Sequence, residues 1–140
     1  MCIYIQMNKL NTRNLFCLSG DVVMNSALSV LIVDDNVKMR SMIAEIVKSK
    51  TKNVFECTDG IDALGEYSVH QPDWVLMDAK MKRMDGLTAT ELVHKYFPKA
   101  KIMIISQDDT PEIRQAAHHA GASAFVPKEN LLEILDTLNQ

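Results

Sequence analysis

The apolar residues change their spacing several times along the chain, and each change marks an element. Leu28 to Val33 (LSVLIV) is a short, nearly continuous apolar run, the pattern of a strand buried on both faces. Trp74 to Met77 (WVLM) and Ile102 to Ile105 (IMII) repeat it. Asn53 to Cys57 (NVFEC) and Ala124 to Val126 predict two further strands. Between them the period becomes helical: Met39, Met42, Ile43, Ile46 and Val47 make one stripe, and Ile61, Leu64 and Tyr67 another within a helix expected over 60–68. Residues 87–97 read as a helix that stops at Pro98. The next helix has its own punctuation. Thr110 caps its start, Pro111 suits the first helical position, Ile113, Ala116, Ala117 and Ala120 form one face, and Gly121 suits a left-handed stop. Leu131, Ile134, Leu135 and Leu138 mark a last helix.

Five apolar strands alternating with five amphipathic helices predict an α/β fold, a doubly wound five-stranded parallel sheet covered on both faces. Right-handed crossovers leave few topologies, of which the flavodoxin-like order 2-1-3-4-5 leads. Proline cannot donate to a ladder, and in that order Pro127 falls at the end of an edge strand. The domain is expected over residues 28–140. Residues 1–27 show no steady period and read as an extension, disordered or loosely docked, and Met24 leaves room for a leader or a mis-assigned start.

Composition narrows the class. A chain of 140 residues with 47% hydrophobic and 24% charged content is long enough for one core without metal or disulfide staples. A net charge of −3 gives no reason to expect direct nucleic-acid binding by this domain. Three cysteines at irregular spacing are no disulfide framework, and Cys57 in an apolar strand reads as a small buried thiol, which fits a reducing, cytoplasmic setting. The least polar stretch, 15–33, is broken by Asp21 and Asn25, so no membrane contact is expected, and no secretory signal is legible.

In such a sheet, ligands bind beyond the carboxyl ends of the strands. There the chain carries Asp34 and Asp35 after the first strand, Asp78 after the third, Ser106 after the fourth and Lys128 after the fifth. Singly, each is an ordinary cap, hydroxyl or solvated charge. Together they set three carboxylates, a hydroxyl and an ammonium on one edge. Clustered carboxylates repel and call for a cation, and oxygen ligands suit Mg²⁺. A carboxylate is also a nucleophile toward phosphorus, and a transferring phosphoryl group spreads charge that Mg²⁺, Lys128 and Ser106 can meet.

The segments SVLIVDDNVKMR, WVLMDAKMKRMDGL, IMIISQDD and AGASAFVPKEN resemble the signature segments of bacterial response-regulator receiver domains over roughly residues 28 to 138. The resemblance implies that Asp78 is the phosphoacceptor. It implies a Mg²⁺ site of Asp34, Asp35, Asp78 and the Lys80 backbone carbonyl, with Asp35 the direct ligand and Asp34 acting through water. Ser106 matches the switch hydroxyl, Phe125 the switch aromatic, Lys128 the lysine that pairs with phosphoryl oxygens, and Asp85-Gly86 the start of the third helix. The chain departs from the pattern at four places. Lys82 stands where proline is common, Glu129 follows Lys128 in place of proline, Pro127 precedes it, and Gln107 replaces a small residue beside Ser106. His118 and His119, adjacent on a helix, share no face and read as surface residues, while His70 and His94 carry no signal.

The function expected is that of a switch or phosphorelay carrier. It takes phosphate from a sensor histidine kinase or phosphotransfer protein and signals to a protein partner on the helix 4, strand 5 and helix 5 face. It is not an enzyme beyond its own phosphorylation and dephosphorylation. Nothing follows the last helix, so no output domain is expected. The alternative is the receiver fragment of a DNA-binding transcription regulator. A small-phosphate hydrolase with an aspartyl nucleophile is remote, because Asp78-Ala79-Lys80 offers no second acid and the length leaves no room for a cap.

Overall fold

In the computed structural model, which describes residues 28–140, five strands alternate with five helices. They are β1 (Leu28–Val33), α1 (Val37–Val47), β2 (Thr51–Cys57), α2 (Gly60–His70), β3 (Trp74–Asp78), α3 (Gly86–Tyr96), β4 (Ile102–Ser106), α4 (Pro111–Ala120), β5 (Ala124–Pro127) and α5 (Glu133–Leu138). The sheet order is β2-β1-β3-β4-β5, all parallel, as the strand pattern predicts. The reading of residues 1–27 as an extension lies outside the described residues. No described helix is long and apolar enough to cross a membrane.

Alternation along each strand splits the core into two. Leu31, Val33, Val75, Met77, Ile102 and Ile104 pack with Ala63, Ala89 and Val93 of α2 and α3 on one face. Val30, Ile32, Trp74, Leu76, Met103 and Ile105 pack with Ile43, Val47, Ile134 and Leu138 of α1 and α5 on the other. Truncating one of these, Ile134 for example, is worth about 2–5 kcal/mol, since a large buried aliphatic leaves a cavity.

Several bounds differ from the pattern. β2 starts at Thr51, two residues early, because a 3₁₀ turn over Lys48–Lys50 feeds straight into it. α2 runs on to His70. The last helix starts later, at Glu133, since Lys128–Asn130 forms a 3₁₀ turn. Met42 and Ile61, assigned to apolar stripes, are 52% and 42% exposed. The punctuation of α4 is as expected: the Thr110 side chain accepts from Ile113 N, Pro111 opens the helix, and Gly121 closes it at φ 104°. Cys57 is buried, and β5 ends at the sheet edge with Pro127.

Candidate functional site

Parallel strands in register bring their carboxyl ends to one rim: Val33 lies opposite Met77, Asp78 opposite Ile105, and Ser106 opposite Pro127. The residues that follow therefore meet across that rim. Ligand oxygens of Asp34, Asp35 and Asp78 all lie within 4.8 Å of one another, an arrangement able to hold a metal ion. They line a cleft of about 160 Å³ with Asn36, Ala79, Lys80, Gln107 and Lys128.

Asp34 and Asp78 are buried, at 1% and 5% exposure, whereas Asp35 is exposed. The Lys128 ammonium lies 2.9 Å from Asp78 Oδ1 and 3.6 Å from Asp34 Oδ2. The first distance is a charged hydrogen bond and the second is too long for one. Asp34 Oδ1 accepts from Asn36 N at 2.8 Å, but its Oδ2 is buried with no hydrogen-bond donor among the described residues. A buried carboxylate oxygen left so costs free energy unless a cation completes it. Burial pushes the Asp78 carboxyl above its ordinary range, Lys128 pulls it back, and the nearby Asp34 charge raises it further. Two buried acids facing one ammonium thus lack positive charge. The donor set is all oxygen and hard, so it fits Mg²⁺.

Local sequence explains how each acid is aimed. Asn36, not either aspartate, caps α1, accepting from the N–H groups of Lys38 and Met39, which leaves Asp34 and Asp35 free to face the cleft. Arg40 Nη1 donates to the Asp34 carbonyl at 2.8 Å while its Nε pairs with Glu56. Gly86 lies against the Asp78 carbonyl so closely that a Cβ there would overlap it, and Asp85 caps α3. These contacts hold β3 and the 79–85 loop in place.

The remaining expected residues fall in three places. Ser106 is buried, and its Oγ accepts from Asp108 N at 3.1 Å; Gln107, not Ser106, lines the cleft. Phe125 is half-buried on β5 beneath Arg114, whose guanidinium sits 4.6 Å from the ring centre and pairs with Asp109. Lys80 crosses the cleft mouth to Asp108 Oδ2 at 2.5 Å. His118 and His119 are exposed; His70 stacks on Phe55 and pairs with Glu66. Asn36, Arg40 and Arg83 are site neighbours that the strand-end pattern does not pick out. Asn36 had a signal, a capping residue just before a helical stripe.

A family model described as response regulator receiver domain matches residues 30–139. The chemotaxis protein CheY of Bacillus subtilis is 37% identical over 116 residues, covering 79% of this chain and 97% of that protein. The response regulator domain of Thermotoga maritima CheB superimposes with a TM-score of 0.75 at 26% identity, covering 81% of this chain and 95% of that one. The CheX–CheY–BeF₃–Mg²⁺ complex from Borrelia burgdorferi contains a chain with a TM-score of 0.73 at 25% identity, covering 81% of this chain and 90% of that one.

Proposed function

The chain belongs to the response regulator receiver domain family of two-component signalling, and from that premise we propose that it accepts a phosphoryl group on Asp78 from a histidine kinase or phosphotransfer protein. The observation that carries this reading is the cleft itself, where a buried Asp78 touches Lys128 and shares a cation-sized space with Asp34 and Asp35. An Asp78 oxygen forms the new P–O bond as the donor's P–N bond breaks, returning imidazole to the donor. Lys128 meets the charge on a phosphoryl oxygen, and Ser106 turns its hydroxyl toward another. Asp34, Asp35, Asp78 and the Lys80 carbonyl would hold Mg²⁺, which when bound would offset the carboxylate repulsion and polarise the phosphoryl group.

The output lies on α4, β5 and α5. Asp108 N already holds Ser106 Oγ, and the next residue, Asp109, pairs with the arginine that covers Phe125. Turning Ser106 toward a phosphoryl group disturbs this loop, and the change in Phe125 reaches a protein partner on that face. A ligand shifts such an equilibrium only through contacts that differ between the states, and the Ser106–phosphoryl bond supplies one. The domain spans residues 28–140, works in the cytoplasm, and does no chemistry beyond its own Asp78. The first reading is a switch that acts through this one domain. The Pro127-Lys128-Glu129 run favours a second reading, a receiver joined to a DNA-binding output domain, and the coding sequence beyond Gln140 separates the two.

The direct test is incubation with Mg²⁺ and a small acyl phosphate, read by intact mass. One added phosphoryl group is expected, and none should be gained when Mg²⁺ is chelated beforehand. No uptake, or uptake that is indifferent to Mg²⁺, would overturn the reading.

A further inference from the structure

Asp35 differs from the two acids beside it, because it alone of the three is exposed. An exposed short carboxylate keeps its rotamer freedom, and freezing it on a cation costs that freedom. Here something already holds it. The backbone N–H of Lys82 donates to Asp35 Oδ2 at 3.2 Å, across 47 positions of sequence.

The donor is itself held in place. Lys82 lies in the 79–85 loop between β3 and α3, where Gly86 N donates to Ala79 O at 2.9 Å. The next residue, Arg83, places Nη1 2.9 Å from Asp59 Oδ2. Asp59 is buried, and its other oxygen caps α2 by accepting from Ile61 N, so this anchor belongs to the frame of the sheet. Lys80 ties the other side of the loop to Asp108. The Lys82 N–H is therefore presented from a loop fastened to the loops on either side.

We infer that Lys82 is a positioning residue of the cation site and acts through its main chain. Its N–H takes one oxygen of Asp35 and leaves the other turned to the cation, so the ligand is aimed before the ion arrives. This rests on the Mg²⁺ reading above. The residue type matters in one respect only. A proline, common at this place in receiver-like sequences, has no N–H to give, whereas any other residue supplies the donor. The Lys82 side chain is exposed and is not the active part.

Two variants separate main chain from side chain. Lys82→Ala removes the ammonium and keeps the N–H; Lys82→Pro removes both. Titrating each with MgCl₂ and following the amide resonances of residues 78–85 gives the affinities. The Kd of Lys82→Pro should exceed that of Lys82→Ala by about tenfold, the low end of what losing an orienting partner costs a metal site. Equal Kd values for the two would overturn the inference. Proline also restricts the local backbone, so a second measurement uses a chain with no change at Lys82. Amide exchange at Lys82 should speed up in Asp35→Ala relative to wild type, and equal exchange would overturn the inference independently. A wild-type chain that gives no Mg²⁺ response would overturn the cation reading itself. A normal wild-type response with unaltered Lys82→Pro would remove only the role of Lys82.

Discussion

The two ends of the sheet treat their polar groups in opposite ways. At the amino end, Asp73 before β3 accepts from Ser29 N at 2.8 Å and from Ser29 Oγ at 3.3 Å, and its own N–H donates to Ser29 O at 2.8 Å. Lys101 lies over the Trp74 ring, its ammonium in solvent reach. That end is closed and satisfied. At the carboxyl end, Asp34 keeps a buried oxygen with no donor among the described residues, and Asp78 is dehydrated beside a second acid. The difference teaches where function lies. A fold tolerates unsatisfied buried charge only where something else completes it. The same contrast predicts that removing an acid has opposite effects on stability at the two ends.

Replacing Asp78 with asparagine gives the largest effect. Phosphoryl uptake should stop altogether, since the nucleophile is gone while size and shape stay, and intact mass after incubation with the acyl phosphate checks this. The metal-free variant should also melt higher than wild type, by a few degrees. Burial lifts the folded Asp78 above the 3.8 of an ordinary carboxyl. Between 3.8 and that raised value the folded protein holds a proton that the unfolded chain has released, so stability falls as pH rises through the window. Above it, ionised Asp78 is a standing cost. Calorimetry from acid to neutral pH should show that fall in metal-free wild type and a flatter profile in Asp78→Asn. A lower melting temperature for the variant would contradict the reading of this end as unsatisfied.

Lys128→Met comes next. It leaves Asp34 and Asp78 without their counter-charge. The expected cost is about 2 kcal/mol, below the value for a fully enclosed pair because the cleft is partly open. Phosphorylation should slow by roughly 10²-fold, the scale of losing one donor aimed at transition-state charge. Mg²⁺ should bind more tightly to this variant, because a competing cation has gone. Weaker Mg²⁺ binding would show that Lys128 helps to build the site instead of competing for it.

At the amino end the sign reverses. Asp73→Ala should lower stability by about 1 kcal/mol, through the Ser29 donors left without their acceptor. Denaturant unfolding checks this. A variant as stable as wild type would mean that the hydrogen bonds there add nothing net, and the contrast between the two ends would lose one side.

Much of this contrast was legible in the sequence, for a physical reason. Strands buried on both faces must be apolar throughout, so LSVLIV, WVLM and IMII stand out, and the acids after them fall on one rim whatever the loops do. The pair of Lys80 and Asp108 was also within reach, because each lies two residues beyond a strand-end residue. The links from Arg40 to the Asp34 carbonyl and from Arg83 to Asp59 were not. Long charged side chains meet partners chosen by loop geometry, and no period records that. The Lys82 bond to Asp35 leaves less trace still, since its donor is the main chain. The late start of α5 escaped for another reason: Leu131, just past the 3₁₀ turn over Lys128–Asn130, fits a helical stripe without belonging to the helix.

The smallest expected effect belongs to the pair that closes the cleft mouth. Lys80 Nζ lies 2.5 Å from Asp108 Oδ2, and both side chains are largely exposed. The hydrogen bond to Asp108 holds the Lys80 ammonium above its usual range. Such a pair adds little to stability, because water competes for both charges. Its consequence is geometric. A side chain held across the mouth obstructs the water that must approach phosphorus in line to release phosphate. Lys80→Ala should therefore lose its phosphoryl group several-fold faster than wild type at unchanged melting temperature. High salt should hasten loss from wild type in the same direction by screening the pair, and should leave the variant unmoved. Following the phosphorylated mass over time in both chains, at low and high salt, measures each effect. A variant that keeps its phosphate as long as wild type would show that the mouth is open to water with or without Lys80. The closure seen here would then be a surface ion pair and nothing more.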